Sequence, residues 1–216
     1  MPPIPKIVSL ILFLFPILSL FPSCLTKPAN RKESGTVVYR ESRQTTTGLK
    51  ESTSKLEEGN IPLISASIYG NEVVVMNQIQ GKGNLNVRSK DGTTPLIYAS
   101  MNGHLQIVKM LLEAKVEINA TNEDGKSALI WASFNGFADI VQTLIQTKAN
   151  VNIQDKLGAS AIMYAASNGH MDSVQILLSA KANINLQDNF GGTALSEAMN
   201  EGHSEIVNLL IAAGAK

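Results

Sequence analysis

The chain has 216 residues, of which 44% are hydrophobic and only 5% aromatic, so its core must be aliphatic and its length fits one large domain or two small ones. The 18 basic residues balance the 18 acidic ones, which leaves no excess positive charge to track a phosphate backbone and argues against nucleic acid as the ligand. The lone cysteine, Cys24, excludes an internal disulfide and any cysteine-rich zinc site.

Near its start the chain carries a weak positive region, the amino terminus and Lys6, followed by an apolar run over 7–21, IVSLILFLFPILSLF. This run is shorter than the roughly 20 residues needed to span a bilayer, and Pro16 interrupts it. Length and flanks therefore predict a secretory signal over residues 1–23. Cys24 follows directly, with small Ser23 before it. The arrangement resembles the lipobox of bacterial lipoproteins, in which the cysteine becomes the lipidated amino terminus. Pro22 departs from that pattern, which favours a small residue at this position. The other reading is an ordinary signal peptide cut nearby. Lipidation at Cys24 implies a membrane anchor at the bacterial cell envelope, on a periplasmic or surface face. Without it the product is secreted.

Residues 24–58 are rich in Ser, Thr, Lys, Arg and Glu and carry almost no periodic apolar positions. Such a segment cannot bury enough surface to offset its ordering entropy, and the composition predicts a disordered polar tether.

From residue 59 onward the chain repeats. Gly92, Gly125, Gly158 and Gly191 stand 33 residues apart, as do Gly70, Gly103, Gly136, Gly169 and Gly202. Asn86, Asn119, Asn152 and Asn185 keep the same interval, and so do Ala66, Ala99, Ala132, Ala165 and Ala198. The units fall at about 59–90, 91–123, 124–156, 157–189 and 190–216. Within one unit, Asp91 and Gly92 form a tight-turn dipeptide. Thr94 and Pro95 suit a helix start, with Thr as cap and Pro at the first helical position. Asn102 and Gly103 end that inner helix. An outer helix follows, with Ile107, Val108, Leu111 and Leu112 at helical spacing. No unit of this size buries its apolar face alone, so neighbours must stack.

The segments DGTTPLIYASMNGHLQIVKMLLEAKVEIN from Asp91 and DGKSALIWASFNGFADIVQTLIQTKANVN from Asp124 resemble ankyrin repeats, as do the units from Leu157 and Phe190 and a degenerate one near Asn60. The resemblance implies an all-α solenoid of five helix-turn-helix units joined by β-hairpin-like loops. It also implies a non-catalytic scaffold, monomeric, that binds another protein. Two departures stand out. Where the family has His after the Pro-Leu pair, this chain has Ile97, Ile130, Met163 and Ser196. Where the family favours Gly after the outer helix, it has Lys115, Lys148 and Lys181, with Gly retained at Gly214. A lysine held left-handed there costs roughly 1 kcal/mol.

Candidate chemistry is sparse. His104, His170 and His203 share one register. Stacked helices lie about 8–10 Å apart, too far for His104 and His170, two units apart, to share one ion. Each is expected to hydrogen-bond its own turn. No nucleophile elbow, phosphate loop or paired-carboxylate signature appears, and Glu123, Asp124, Asp155 and Asp188 read as turn and solvated-face residues. These observations predict no enzyme activity, metal, cofactor or small-molecule substrate. A hydrolase with an unrecognised site ranks last.

Binding surfaces are more legible. The resemblance places the variable inner-helix positions at Ser65, Tyr98, Trp131, Tyr164 and Glu197, and one turn later at Ile68, Met101, Phe134, Ser167 and Asn200. The central units would thus present a ladder, Tyr98, Trp131 and Tyr164, flanked by Met101 and Phe134, on the concave face. Aromatics and Met are enriched at recognition surfaces. Two roles fit these rings: gripping a partner, or covering the seams between units. The turn tips add Lys90, Glu123, Lys156, Leu157 and Phe190, the last two forming a small apolar patch. The expected function is capture of a protein partner by a tethered stack. The alternative is a secreted effector or accessory that modulates a host or periplasmic enzyme.

Overall fold

The computed structural model describes residues 61–216. The expectations for residues 1–23 and 24–58, the signal, the tether and Cys24, lie outside the described residues.

The described residues form ten helices in five pairs: α1 (Ile61–Tyr69) with α2 (Glu72–Gln80), α3 (Pro95–Met101) with α4 (Leu105–Glu113), and α5 (Ala128–Phe134) with α6 (Ala138–Gln146). Then come α7 (Ala161–Ser167) with α8 (Met171–Ser179), and α9 (Ala194–Asn200) with α10 (Ser204–Ala212). Inner helices α1, α3, α5, α7 and α9 stack in one row, and outer helices α2, α4, α6, α8 and α10 in another. Among the described residues there is no sheet, only the isolated bridges Thr121 with Ser127 and Gln154 with Ser160. No described helix is long and apolar enough to cross a membrane.

Local signals set these boundaries. The side chains of Thr94, Ser127 and Thr193 accept from the N–H groups of Ile97, Ile130 and Ser196 at 3.4, 3.3 and 3.2 Å, capping three inner helices. Pro95 sits at the first helical position, where no donor is lost. The inner faces bury Leu96, Ile97, Leu129, Ile130, Ile162 and Met163, and the outer helices bury Ile107, Leu111, Ile140, Leu144, Leu177 and Leu210. Ile97, Ile130 and Met163 thus turn the family's polar position into core. The buried column Ala66, Ala99, Ala132, Ala165 and Ala198 keeps side chains small where the inner row packs.

Polar links run from one repeat to the next. The Oδ1 atoms of Asn86, Asn119, Asn152 and Asn185 accept from the backbone N–H of Glu117, Asn150, Asn183 and Lys216 at 2.9, 2.8, 2.8 and 3.1 Å. Each turn also bonds its neighbour: the N–H groups of Glu123, Lys156 and Asn189 donate to the carbonyls of Asp91, Asp124 and Leu157. This close approach explains Gly125, which has φ +80° and whose missing Cβ would lie 3.0 Å from the Cα of Asp155.

The histidines correct an expectation. Nε2 of His104, His170 and His203 lies 3.0, 3.0 and 3.1 Å from the carbonyls of Ile68, Phe134 and Ser167, at the end of the preceding repeat's inner helix. A ring nitrogen facing a carbonyl must donate, so each histidine joins two repeats and does not bond its own turn. Each ring lies against the left-handed glycine of the preceding repeat, Gly70, Gly136 and Gly169 in turn; a Cβ on Gly136 would meet Cε1 of His170 at 2.7 Å. In the third repeat Phe137 takes the same place, over Gly103.

Lys115, Lys148 and Lys181 do adopt left-handed backbone, at φ 59°, 69° and 59°, and Lys82 joins them at 53°.

Candidate functional site

The concave residues come together differently from a simple ladder. Phe134 stands between Trp131 and Tyr164, with ring centroids 5.8 Å from the first at 74° and 5.6 Å from the second at 71°. Both are edge-to-face geometries, which suit the ring quadrupoles. Tyr98 stands apart from this cluster. No ring pair joins it to Trp131 among the described residues, and its hydroxyl lies 3.3 Å from Oγ of Ser89. All of these side chains, and Met101, are half-buried.

Behind the rings lies a charge network that the sequence did not reveal. Nζ of Lys126 sits 3.0 Å from Oδ2 of Asp155, with the aspartate side chain fully buried. The Tyr164 hydroxyl donates to the same oxygen at 2.6 Å, and the N–H groups of Leu157 and Ala159 both donate to Oδ1 at 2.9 Å. The lysine also stands 5.3 Å from the Tyr164 ring centroid and 5.9 Å from that of Trp131, within cation–π range. Burial, then the hydrogen bond to Asp155, pushes the Tyr164 phenol far above its ordinary pKa, so it remains a proton donor. Asp155 is therefore a core residue, not the solvated turn carboxylate expected. One signal was available: Ser89 precedes Tyr98 by nine residues, as Asp155 precedes Tyr164, and both pairs bond. The indole N–H of Trp131 is buried with no acceptor.

One repeat on, the same register holds Asp188, Glu197 and Gly192, while the lysine's place is taken by Ala159. A Cβ on Gly192 would meet Oδ2 of Asp188 at 2.8 Å and Oε1 of Glu197 at 3.0 Å, so the two carboxylates converge there. Partial burial, then the nearby Asp188 charge, raises the pKa of Glu197, against a weak bond from Ser167. No group of His, Cys, Asp or Glu among the described residues is arranged to hold a metal.

The turn tips lie outside this cluster. Lys90, Glu123 and Lys156 are exposed. Leu157 and Phe190 expose 42% and 68% of their surface, and the backbone bond from Asn189 to Leu157 brings them near one another. At the first tip, burial acts to raise the pKa of Asp91, but hydrogen bonds from Ser89 and Thr93 outweigh it and hold the carboxyl below its usual range. In the first helix pair three further exposed large apolar residues escaped sequence reasoning. Tyr69, Val73 and Met76 stand at 80%, 68% and 48% exposure. Their register elsewhere is polar, as in Asn102, Gln106 and Lys109. Comparing copies position by position finds them.

No curated protein matches the chain. The family model described as ankyrin repeats matches in three overlapping copies, over residues 46–122, 63–155 and 129–216. Those matches cover most of the chain and coincide with the stacked pairs, so the chain belongs to the ankyrin repeat family.

Proposed function

We propose that the chain is a tethered capture module, exported and lipid-anchored through Cys24 at a bacterial envelope. Its concave face grips one protein partner. Ankyrin repeats form protein–protein interaction scaffolds, and the finer reading concerns where and how this one binds. A single observation carries it. Trp131, Phe134 and Tyr164 form one half-exposed ring cluster at positions where the copies differ, backed by the fixed Lys126–Asp155 pair. Rigid aromatics of this kind offer large contact area at little entropic cost, and such anchors contribute about 2 kcal/mol or more to an interface. Tyr98 and Met101 extend the face toward the amino end, and Lys90, Glu123, Lys156, Leu157 and Phe190 form its rim. The body acts as a monomer and turns over nothing.

Affinity capture from envelope fractions tests the binding face. The full chain should retain a partner that Phe134→Ala loses by a hundredfold or so, with helical circular dichroism unchanged. Equal retention by both, or loss of helix on substitution, refutes the face. Radioactive palmitate tests the anchor separately: label and membrane association should both vanish in Cys24→Ala. An unlabelled wild type would favour a freely secreted product.

A further inference from the structure

Lys82, Lys115, Lys148 and Lys181 share three properties that no other residues combine. Each directly follows the turn that closes an outer helix, each is held at φ between 53° and 69°, and each is exposed. The equivalent residue of the last repeat is Gly214, at φ 92°, which is what the backbone prefers there. The strain is thus accepted four times over, each time for the same side chain.

No hydrogen bond or ion pair among the described residues uses those ammonium groups. The hydrogen bonds at these positions are made by backbone N–H groups, as from Lys115 to Leu112 and from Lys148 to Ile145, and glycine would keep them. Lys82, Lys148 and Lys181 have no carboxylate within five residues along the chain, whereas Lys115 has Glu113 and Glu117 on either side, the latter 3.6 Å from Arg88. The result is a row of positive charge along the stack, opposed by a nearby carboxylate in sequence only at Lys115. Lys115 and Lys148 flank one shallow groove whose wall includes the half-buried Leu112, Val116 and Ile118.

The row also has a pitch. Stacked helices repeat at about 8–10 Å. A polyproline II chain has three residues per turn and a rise of about 3.1 Å each, so every third side chain returns to one face after roughly 9 Å. We infer that this lysine row docks an extended, polyproline II-like acidic segment of a protein partner, with a carboxylate at every third residue. The inference rests on the family's role as a protein scaffold, and it is independent of the concave face.

The probe is a synthetic peptide in which Glu-Pro-Pro is repeated four times, titrated against the full chain. A control of the same composition carries its glutamates in one block. The spaced peptide should bind at least tenfold more tightly than the blocked one and weaken steeply with salt. Replacing all four lysines by glycine should lose at least tenfold in affinity while raising the melting temperature. The lysine-to-glutamine set, which keeps the strained backbone, should lose affinity equally. Phe134→Ala should leave peptide binding unchanged, which separates this surface from the concave one. Equal affinity for both peptides, or undiminished binding by either lysine variant, overturns the proposal. So does binding to phosphatidylglycerol vesicles in place of the peptide, which would make the row a membrane contact.

Discussion

Lys126 reaches from one turn tip to place Nζ 3.0 Å from the buried carboxylate of Asp155 in the next tip. The pair does more than join two turn tips, because the same oxygen orients the hydroxyl of Tyr164 in the next repeat and the same cation lies over both Tyr164 and Trp131. Removing one partner leaves the other charge buried and unpaired, at a cost of about 3 kcal/mol. Lys126→Met should lower stability by that amount in a urea titration. Adding Asp155→Asn should recover most of it, since the amide oxygen still accepts from Leu157 and Ala159. A double variant as weak as the single one would show that the ion pair itself, not the stranded charge, sets the energy.

The next junction is the natural complement to that experiment. Asp188 and Glu197 converge over Gly192 with Ala159 where a lysine stands one repeat earlier. Ala159→Lys should therefore raise the melting temperature at neutral pH. The sign with pH follows from Glu197, whose raised pKa means that the folded state holds its proton more tightly than the unfolded one. In the native chain this group's contribution to stability falls as pH rises through that window. The added lysine removes the penalty only while the carboxylates are ionised. Its benefit should vanish as the pH drops below the carboxylate range. A benefit independent of pH would point to side-chain packing.

Phe137 shows what the histidine register tolerates. It packs over Gly103 much as His170 packs over Gly136, without the hydrogen bond to the preceding repeat. His170→Phe should then cost no more than about 1 kcal/mol, the value of one hydrogen bond. Gly136→Ala should cost more, because it combines positive φ with a collision against the His170 ring. Thermal denaturation of the two variants ranks these effects, and the reverse order would contradict the packing described.

Lys148 has the largest φ of the strained lysines, 69°. Lys148→Gly alone should stabilise the stack by about 1 kcal/mol, partly offset by the freedom glycine gains when unfolded. A lower melting temperature would mean that the lysine stem contributes packing against Leu112 and Val116.

What the chain disclosed by itself was governed by range. Thr94, Pro95, Asn102 and Gly103 act within a few residues, so the helix ends were readable to the residue. The 33-residue period also marked His104 and Asn86 as shared scaffold, but not what they bond. Their acceptors and donors, Ile68 and Glu117, lie in neighbouring repeats. Asp155 misled for the same reason: its own segment looks like a polar turn, and the lysine and phenol that bury it come from elsewhere. The ring cluster was half legible. Composition named the right side chains, while the edge-to-face order through Phe134, and the defection of Tyr98 to Ser89, depended on how far each ring leans across the seam.

The asparagine links carry one more consequence. Each of these Oδ1 atoms reaches forward to the following repeat, and the one on Asn185 holds the N–H of Lys216. The stack is thereby latched in series, and a pull on the carboxyl end loads the latches one at a time. Stretched from that end, the protein should yield in a sawtooth of small, nearly equal steps, unpeeling repeat after repeat instead of rupturing at once.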